Sequence, residues 1–186
     1  MMRCMRNMKV ASAAMAPSLA KGTSLQVDQV YDEQTRPQRW DVIVFAVPSA
    51  EGLGQKLGKA RVSKTELGAG AGVADILNAA ASVFEKKQGL VRPHMFFVKR
   101  ILGLPGECIR FEQSRVLCNG RELAIPEALR RSYKFKDFSE FRFGAEECTV
   151  PDDSVFVMSD NPAKGVDSRH IGVIRLDFVV GRVAVA

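Results

Sequence analysis

Lys99 is the residue of this 186-residue chain whose surroundings most suggest chemistry. It follows the apolar run 95–98, and only Arg100 separates it from the apolar pair Ile101 and Leu102. An apolar environment disfavours the ammonium form, so burial lowers the pKa of a lysine. A lysine that is neutral at working pH can take the proton of a serine hydroxyl, which an ammonium cannot do. Arg100, the next residue of the strand, should point to the opposite face.

The cysteines and histidines do not form a metal-binding pattern. No Cys-x-x-Cys pair occurs among the four cysteines, which are Cys4, Cys108, Cys118 and Cys148. The two histidines, His94 and His170, do not complete a ligand set with them, so we expect no metal. The sequence does not decide whether Cys108 and Cys118 form a disulfide. A two-residue turn at 113–114 would put the two cysteines on opposite faces of a hairpin, whereas a bulged turn would not.

Four motifs follow one another along the chain. Residues 8–19 read M-K-V-A-S-A-A-M-A-P-S-L, and residues 37–45 read P-Q-R-W-D-V-I-V-F. Residues 98–107 read V-K-R-I-L-G-L-P-G-E. Residues 159–161 read S-D-N, and residues 166–172 read V-D-S-R-H-I-G. Each motif alone is weakly specific, but four in this order make chance a poor explanation.

Together these motifs resemble those of the type I signal peptidases, the Ser/Lys endopeptidases of protein export. That family reads P-S-x-S-M-x-P-T-L, P-x-R-G-D-I-V-V-F, V-K-R-V-V-G-L-P-G-D, and G-D-N followed by x-D-S-R-x-x-G. The resemblance spans residues 8–183 and implies a mainly β fold, the coiled antiparallel sheets of the signal-peptidase catalytic core. It also implies removal of signal peptides from exported proteins with no metal and no other cofactor. Most lysines on strands are solvated, but the match of the motif around Lys99 to this family implies that Lys99 is buried.

The resemblance assigns roles residue by residue. Lys99 corresponds to the general base, Ser12 to a hydroxyl that helps hold the oxyanion, and Ser168 to a serine that positions the lysine. The backbone N–H of residue 14 would be the second oxyanion donor. The positions matched to substrate binding are Met15 and Pro17. The residues matched to structural roles are Asp160, Asp167 and Arg169, the last two as a pair that orients the loop.

Ala14 stands where the family keeps its nucleophilic serine. Alanine has no nucleophile, so the acyl-enzyme route of the family is closed, and such a loss costs several orders of magnitude in rate. Four explanations are open: a natural pseudo-peptidase, a Ser-to-Ala form made to trap a substrate, a substitute nucleophile, and a sequence error. Ser12 lies about 6–7 Å from position 14 along an extended strand. Ser18 lies beyond Pro17, so both serines are poor substitutes.

Short strands must position these residues. The β-branched and apolar runs at 42–47, 95–102 and 155–158 predict strands of a core. Shorter extended runs lie at 8–10, 25–27, 107–112, 115–118, 173–174 and 178–183. Many short strands in 186 residues predict one β-rich domain over residues 1–186.

Two segments, at about 49–92 and 126–148, are predicted to be insertions in that domain. From Val73 to Phe84, apolar residues recur with a helical period, which predicts one inserted helix. The polar face of this helix is short of lysine, so packing on the domain is favoured over binding to a membrane surface. The 126–148 segment is charged and aromatic, which indicates a long excursion.

The net charge of +6 is compatible with nucleic acid or an anionic membrane surface as a partner. No nucleic-acid-binding motif is present, so we expect none as a partner. No stretch approaches the roughly 20 apolar residues of a membrane span, and only seven residues precede Met8, where the family has its membrane anchor. The chain as given is expected to be soluble or peripheral. By resemblance it is membrane-associated on the extracytoplasmic face, with the signal peptides of preproteins as partners and its oligomeric state unassigned.

Two functional hypotheses follow from these patterns. The first is a signal-peptidase-type endopeptidase impaired by Ala14. The second is a non-catalytic pseudo-peptidase of the same fold that binds signal-peptide-like segments by β-strand addition. A self-cleaving repressor-type protease shares the Ser/Lys dyad. It is disfavoured by the turn at 103–106, by the D-S-R sequence at 167–169 and by the lack of a helix-turn-helix pattern before residue 14.

Overall fold

The computed structural model describes most of the chain outside the first predicted insertion. The described ranges are 6–28, 36–47, 95–112, 115–135 and 143–184. The predicted helix from Val73 to Phe84, and with it the 49–92 insertion, lies outside the described residues.

The chain forms two compact units. The first is built from residues 1–45 and 98–186, and the second from residues 46–97. Of the second unit, only residues 46–47 and 95–97 are described, and they are strand ends. The candidate site residues all belong to the first unit.

Strands are the main secondary structure of the described residues. In chain order they are β1 (Arg6–Lys9), β2 (Ser24–Asp28), β3 (Val42–Val47), β4 (Met95–Gly103), β5 (Cys108–Glu112), β6 (Arg115–Cys118), β7 (Arg121–Glu122), β8 (Cys148–Thr149), β9 (Ser154–Met158), β10 (Ile174–Arg175) and β11 (Val179–Val183). Two four-residue helices accompany them, α1 (Glu127–Arg130) and α2 (Ser168–Ile171). The predicted mainly β fold is confirmed.

The strands form two sheets. The larger sheet has the order β1-β2-β11-β3-β4-β9-β10, and the smaller has the order β7-β6-β5-β8. The pairs β1–β2, β2–β11, β11–β3, β4–β9 and β9–β10 are antiparallel, as are the pairs of the smaller sheet. Antiparallel pairing lets consecutive or returning strands join through short connections, which suits a chain with many short apolar runs.

Strand β9 shows why the apolar pattern predicts a core strand. All five of its residues are buried, so both of its faces are covered. Phe156 and Met158 pack in a cluster with Ile109 and Phe111 of the smaller sheet. A strand covered on both sides reads as a continuous apolar run rather than an alternating one, and this is the pattern of residues 155–158.

The described part of the predicted 126–148 excursion contributes to the same cluster. Leu129 of α1 and the residues Tyr133 and Phe135 after it are all buried there. The ring of Phe135 packs edge-on against Phe111, with centroids 5.1 Å apart. These apolar side chains fix one end of the segment to the domain.

The open question of a disulfide is answered by the β5–β6 register. Glu112 pairs with Arg115, and Cys118 pairs with Ile109, the neighbour of Cys108. Cys108 and Cys118 therefore point to opposite faces, because neighbouring side chains alternate. Both are free cysteines, as is Cys148.

No helix in the described part of the chain is long and apolar enough to cross a membrane.

Candidate active site

The segment between β1 and β2 carries the candidate nucleophile position. Its residues 12–19 form consecutive turns instead of continuing the strand that the alternation argument for Ser12 assumed. The turn lets the backbone N–H of Ala14 donate to Oγ of Ser12 at 3.3 Å. The two groups predicted to hold an oxyanion therefore bond to each other here. Ala14 itself is only 5% exposed.

The two positions matched to substrate binding differ in their environment. Met15 is buried in a cluster with Val10, Leu25 and Val44, so its side chain anchors the turn to the larger sheet. Pro17 is exposed. Of these two residues, only Pro17 presents its side chain to solvent.

Lys99 lies in the middle of β4 and has the buried setting expected for it, with 3% of the residue exposed. Its Nζ donates to the carbonyl oxygen of Val98 at 3.0 Å. Burial lowers the pKa of Lys99, although the nearby carboxylates of Asp167 and Asp160 oppose the shift. The net lowering shifts the equilibrium towards the neutral amine, which is the form that can accept a proton.

Arg100 points the other way and joins three segments. Its Nε and Nη2 donate to the two carboxylate oxygens of Asp160, each at 2.7 Å, and its Nη1 donates to the carbonyl of Trp40 at 2.8 Å. Asp160 is fully buried. This bidentate pair fixes the segment after β9 against the back of the lysine strand.

Asp167 is the buried acceptor at the start of α2. Its carboxylate accepts from Nε of Arg169 at 2.8 Å, from Nη2 of Arg169 at 2.9 Å and from the backbone N–H of Ser159 at 3.0 Å. Burial alone would raise the pKa of this carboxyl, but the contacts with His170 and Arg169 outweigh it and lower the pKa to about 2. The hydrogen bond from Ser159 to Asp167 thus ties the two ends of the 159–167 loop together.

This shift predicts an acid-sensitive contribution to stability. A carboxyl whose pKa is lower in the folded state stabilises the fold above its unfolded pKa, and that stabilisation is lost as the pH falls through the folded value. From the ordinary 3.8 to about 2, the contribution is on the order of 2 kcal/mol. We expect Asp167→Asn to lose this amount near neutral pH in urea unfolding, and the deficit to shrink as the pH falls from about 4 to 2.

Asp152→Asn is the matched control for this titration, because Asp152 is exposed and surface substitutions change stability little. A deficit for Asp167→Asn that stays constant over the whole pH range would contradict the assignment.

Ser168 occupies the first position of α2 and is fully buried. Its Oγ accepts a hydrogen bond from the backbone N–H of Val157 at 2.8 Å. The hydroxyl therefore links α2 to β9, one residue before the end of the strand. Its predicted role beside the lysine stays a prediction.

Ser159 is the residue that the sequence analysis did not single out. It is fully buried, and its Oγ has no hydrogen-bond partner among the described residues. The available signal was the reading S-D-N at 159–161, where the resembling family has glycine first. Ser159 carries a hydroxymethyl group where glycine has only a hydrogen atom. A comparison of motifs scores this difference as a mismatch and does not show that a buried hydroxyl has been added.

The loop after β9 also approaches the nucleophile position. The backbone N–H of Asn161 donates to the carbonyl of Ala14 at 2.8 Å. A methyl group on Gly165 would lie 3.4 Å from Cβ of Ala14. Residues 159–165 therefore pass directly by Ala14. Within the described ranges, no three His, Cys, Asp or Glu side chains are placed to hold a metal ion.

Comparison with known proteins places these features in context. The family model described as "Signal peptidase, peptidase S26" matches residues 1–186. A signal peptidase I of Bacillus caldolyticus is 35% identical over 94 residues, which are 47% of this chain and 50% of that protein. A signal peptidase I of Leptolyngbya laminosa is 27% identical over 176 residues, 95% of this chain and 65% of that protein.

A third relative, signal peptidase I V of Bacillus subtilis, is 34% identical over 94 residues, 47% of this chain and 55% of that protein. The chain thus spans about half to two thirds of the length of these relatives. Among solved structures, a signal peptidase I from Enterococcus faecalis aligns with a TM-score of 0.47 and 20% identity, over 84% of this chain and 100% of that one.

Proposed function

Because the chain belongs to the signal peptidase family, peptidase S26, we propose that it is a signal-peptidase-type serine endopeptidase of exported proteins, impaired by alanine at the nucleophile position. The observation that carries this proposal is the convergence of three segments. The turn with Ala14 bonds to Asn161, the loop returns past Ala14 at Gly165, and Lys99 lies on the strand beside that loop. A buried lysine with a lowered pKa is what such a reaction requires.

Serine at position 14 would complete the chemistry. Nζ of Lys99 would accept the hydroxyl proton while Oγ bonds to the carbonyl carbon of the substrate. The same proton would pass to the leaving amine as the C–N bond breaks, and water would then release the acyl group by the same steps. The N–H of residue 14 and the hydroxyl of Ser12 would hold the oxyanion after breaking their mutual hydrogen bond.

The remaining residues support this arrangement. In this proposal Ser168 positions the lysine, and the Arg100–Asp160 and Arg169–Asp167 pairs hold the loop between β9 and α2. The side chain of Pro17 borders the substrate, and Met15, whose side chain is buried, borders it through its backbone. Signal peptides of preproteins are the substrates. The protein works at the extracytoplasmic face of a membrane, and residues 49–92 and 126–148 are insertions of the single domain.

The alternative function is that of a non-catalytic pseudo-peptidase that binds signal-peptide-like extended segments. The favouring observation is that Ala14 supplies no nucleophile, while two buried ion pairs and a buried lysine are present in the segments around it. Binding by strand addition uses the backbone of the site and needs no hydroxyl. Both functions require the chain to bind a signal peptide, but only the first includes cleavage of that peptide.

Both functions predict selective peptide binding, which fluorescence anisotropy can measure in detergent. A labelled signal peptide with small residues before its cleavage point should bind roughly tenfold more tightly than one with bulky residues there, because a shallow pocket excludes the larger side chains. A scrambled peptide of equal charge is the control. Equal binding of all three, falling steeply with salt, would contradict both functions and indicate electrostatic binding alone. Cleavage, treated in the Discussion, separates the two.

A further inference from the structure

The two described ends of the 126–148 excursion meet on Arg169 of α2. The guanidinium of Arg169 lies over the ring of Phe135, with Cζ 5.6 Å from the ring centroid. The backbone N–H of Phe143 donates to the carbonyl of Arg169 at 3.0 Å. The excursion therefore holds one residue of α2 twice, by its side chain and by its backbone.

The ring of Phe135 is itself fixed by its neighbours. Phe135 is 6% exposed and packs edge-on against Phe111, with centroids 5.1 Å apart. The ring of Tyr133 adds a second contact, with centroids 6.0 Å apart. A guanidinium is attracted to the face of an aromatic ring, and the attraction is larger where water is excluded. The side chain of Arg169 is 5% exposed, so its contact with Phe135 lies in such an environment.

The edge of the same guanidinium holds the loop between β9 and α2. Nε and Nη2 of Arg169 donate to the carboxylate of Asp167 at 2.8 and 2.9 Å, and Nη2 also donates to the carbonyl of Pro162 at 2.8 Å. These donors lie in the plane of the guanidinium, whereas stacking on a ring acts on the face of that plane. One planar group thus connects the excursion with both the middle and the end of the loop.

This loop passes the candidate site at close range. A Cβ on Gly165 would lie 3.4 Å from Cβ of Ala14 and 1.8 Å from Oγ of Ser159. The backbone N–H of Asn161 donates to the carbonyl of Ala14 at 2.8 Å. Because protein interiors are close-packed and transmit strain, even a small shift of the loop would change the contacts at position 14.

We propose that Phe135 is a positioning residue of the candidate site, whose ring sets the orientation of the Arg169 guanidinium and, through it, the position of Asp167 and of the loop beside Ala14. The excursion then supports the site directly, although it lies outside the four sequence motifs. The importance of the site rests on the proposed function. The contact between ring and guanidinium does not, because it requires only Phe135 and Arg169.

Lys99 reports on this arrangement through Asp167. Burial lowers the pKa of Lys99, whereas the carboxylates of Asp167 and Asp160 raise it. Arg169 pairs with the first carboxylate, and Arg100 pairs with the second. If the ring holds Arg169 less firmly, the charge of Asp167 is compensated less well, and the pKa of Lys99 rises.

Two further ionisable side chains face these carboxylates. Nδ1 of His170 lies 3.6 Å from Oδ1 of Asp167. Burial and the carboxylate of Asp160 raise the pKa of Tyr133, which keeps its phenol neutral. Both side chains are retained in every variant below, so they contribute equally to the titrations that are compared.

The test weakens the attraction between ring and guanidinium while keeping the shape of the ring. Trifluorophenylalanine at position 135, introduced by nonsense suppression, withdraws charge from the ring face and changes the volume little. We expect the melting temperature to fall by roughly 3 °C. We also expect the pKa of Lys99 to rise, as followed by NMR of the full chain carrying ¹³Cε-lysine, with the Lys99 signal identified by its loss in Lys99→Met. Monofluorophenylalanine should give smaller changes in the same directions.

The same fluorinated residue at position 156 is the matched control. Phe156 is a fully buried ring of the same cluster, with its centroid 6.0 Å from that of Phe111. Fluorination there should leave the pKa of Lys99 unchanged. An unchanged Lys99 pKa on fluorination of position 135, even with a lower melting temperature, would reduce the contact to packing and overturn the proposal. An equal rise on fluorination of position 156 would also overturn it.

A second background tests whether the effect depends on the charge of Arg169. In Asp167→Asn combined with Arg169→Gln, both charges of the pair are removed and the ring loses the guanidinium from its face. Trifluorophenylalanine at position 135 should then lower the melting temperature far less than it does in the native chain. Equal losses in the two backgrounds would show that fluorine only disturbs packing and would overturn the proposal.

Turnover separates a failure of this inference from a failure of the proposed function. If Ala14→Ser cleaves preprotein, adding trifluorophenylalanine at position 135 should move the acidic limb of the pH profile of kcat/KM to higher pH, because that limb follows the pKa of the base. An unmoved limb would count against the proposal. If Ala14→Ser does not cleave, the proposed function fails, while the titration of Lys99 still decides for or against the role of Phe135.

Discussion

Replacing Ala14 by serine is expected to raise cleavage of a signal-peptide-bearing preprotein by several orders of magnitude. Loss of a catalytic nucleophile has an effect of this size, and the single substitution restores the missing atom. Lys99 is already buried with a lowered pKa, and the loop at Gly165 already lies against Ala14. A time course of preprotein cleavage in detergent, with the native chain and Ala14→Ser side by side, measures the effect.

Two further variants make the cleavage experiment specific. Ala13→Ser places a hydroxyl one residue away and should stay inactive, which controls for a general effect of added serine. Ala14→Ser combined with Lys99→Ala should lose the restored activity, because no neutral amine remains to accept the hydroxyl proton.

Each departure from this pattern has a definite meaning. Cleavage by the native chain would show that the nucleophile lies elsewhere, and Ser12→Ala and Ser18→Ala would then be compared. Cleavage that survives Lys99→Ala would remove the lysine from the mechanism. Selective peptide binding with no cleavage by Ala14→Ser would leave the binding function as the one supported.

Removing the carboxylate of Asp160 is expected to destabilise the fold by about 3 kcal/mol, since breaking a buried ion pair leaves its partner uncompensated. Asp160 is fully buried and accepts two hydrogen bonds from Arg100, whose side chain is 16% exposed. Urea unfolding of Asp160→Ala against the native chain measures the loss. The site should also respond, because Asp160 opposes the lowering of the Lys99 pKa and its removal should lower that pKa further.

Asp177→Ala is the matched control for this substitution. Asp177 also accepts two hydrogen bonds from an arginine, Arg175, but the two side chains are 54% and 33% exposed. Solvent screens such a pair, so its loss should cost less than about 1 kcal/mol. Similar losses for both variants would show that burial of the Arg100–Asp160 pair does not set its contribution.

The local features of the fold could be predicted from the sequence. The runs 42–47 and 155–158 form core strands because their residues are apolar and β-branched, and this preference is carried by the residues themselves. The burial of Lys99 also followed from its neighbours along the strand. A structural property that depends on residues adjacent in sequence can be predicted from the sequence pattern alone.

Features that depend on distant residues could not be predicted. Nothing near Ser159 in the sequence shows that position 165 must lack a side chain, since the reason is the path of the loop back over the strand end. The hydrogen bond between the Ala14 N–H and Ser12 depends in the same way on a turn that the strand-like pattern before it did not suggest. The disulfide question needed the β5–β6 register, which composition alone does not determine.

The close approach of Gly165 to Ser159 also restricts the evolutionary paths open to this chain. A side chain at position 165 is excluded while serine occupies 159, because even a methyl group would lie 2.4 Å from Cβ of Ser159. A lineage could therefore acquire a side chain at position 165 only after glycine had replaced Ser159. The order of substitutions is therefore fixed by sterics, and the two positions are expected to vary together among descendants of this chain.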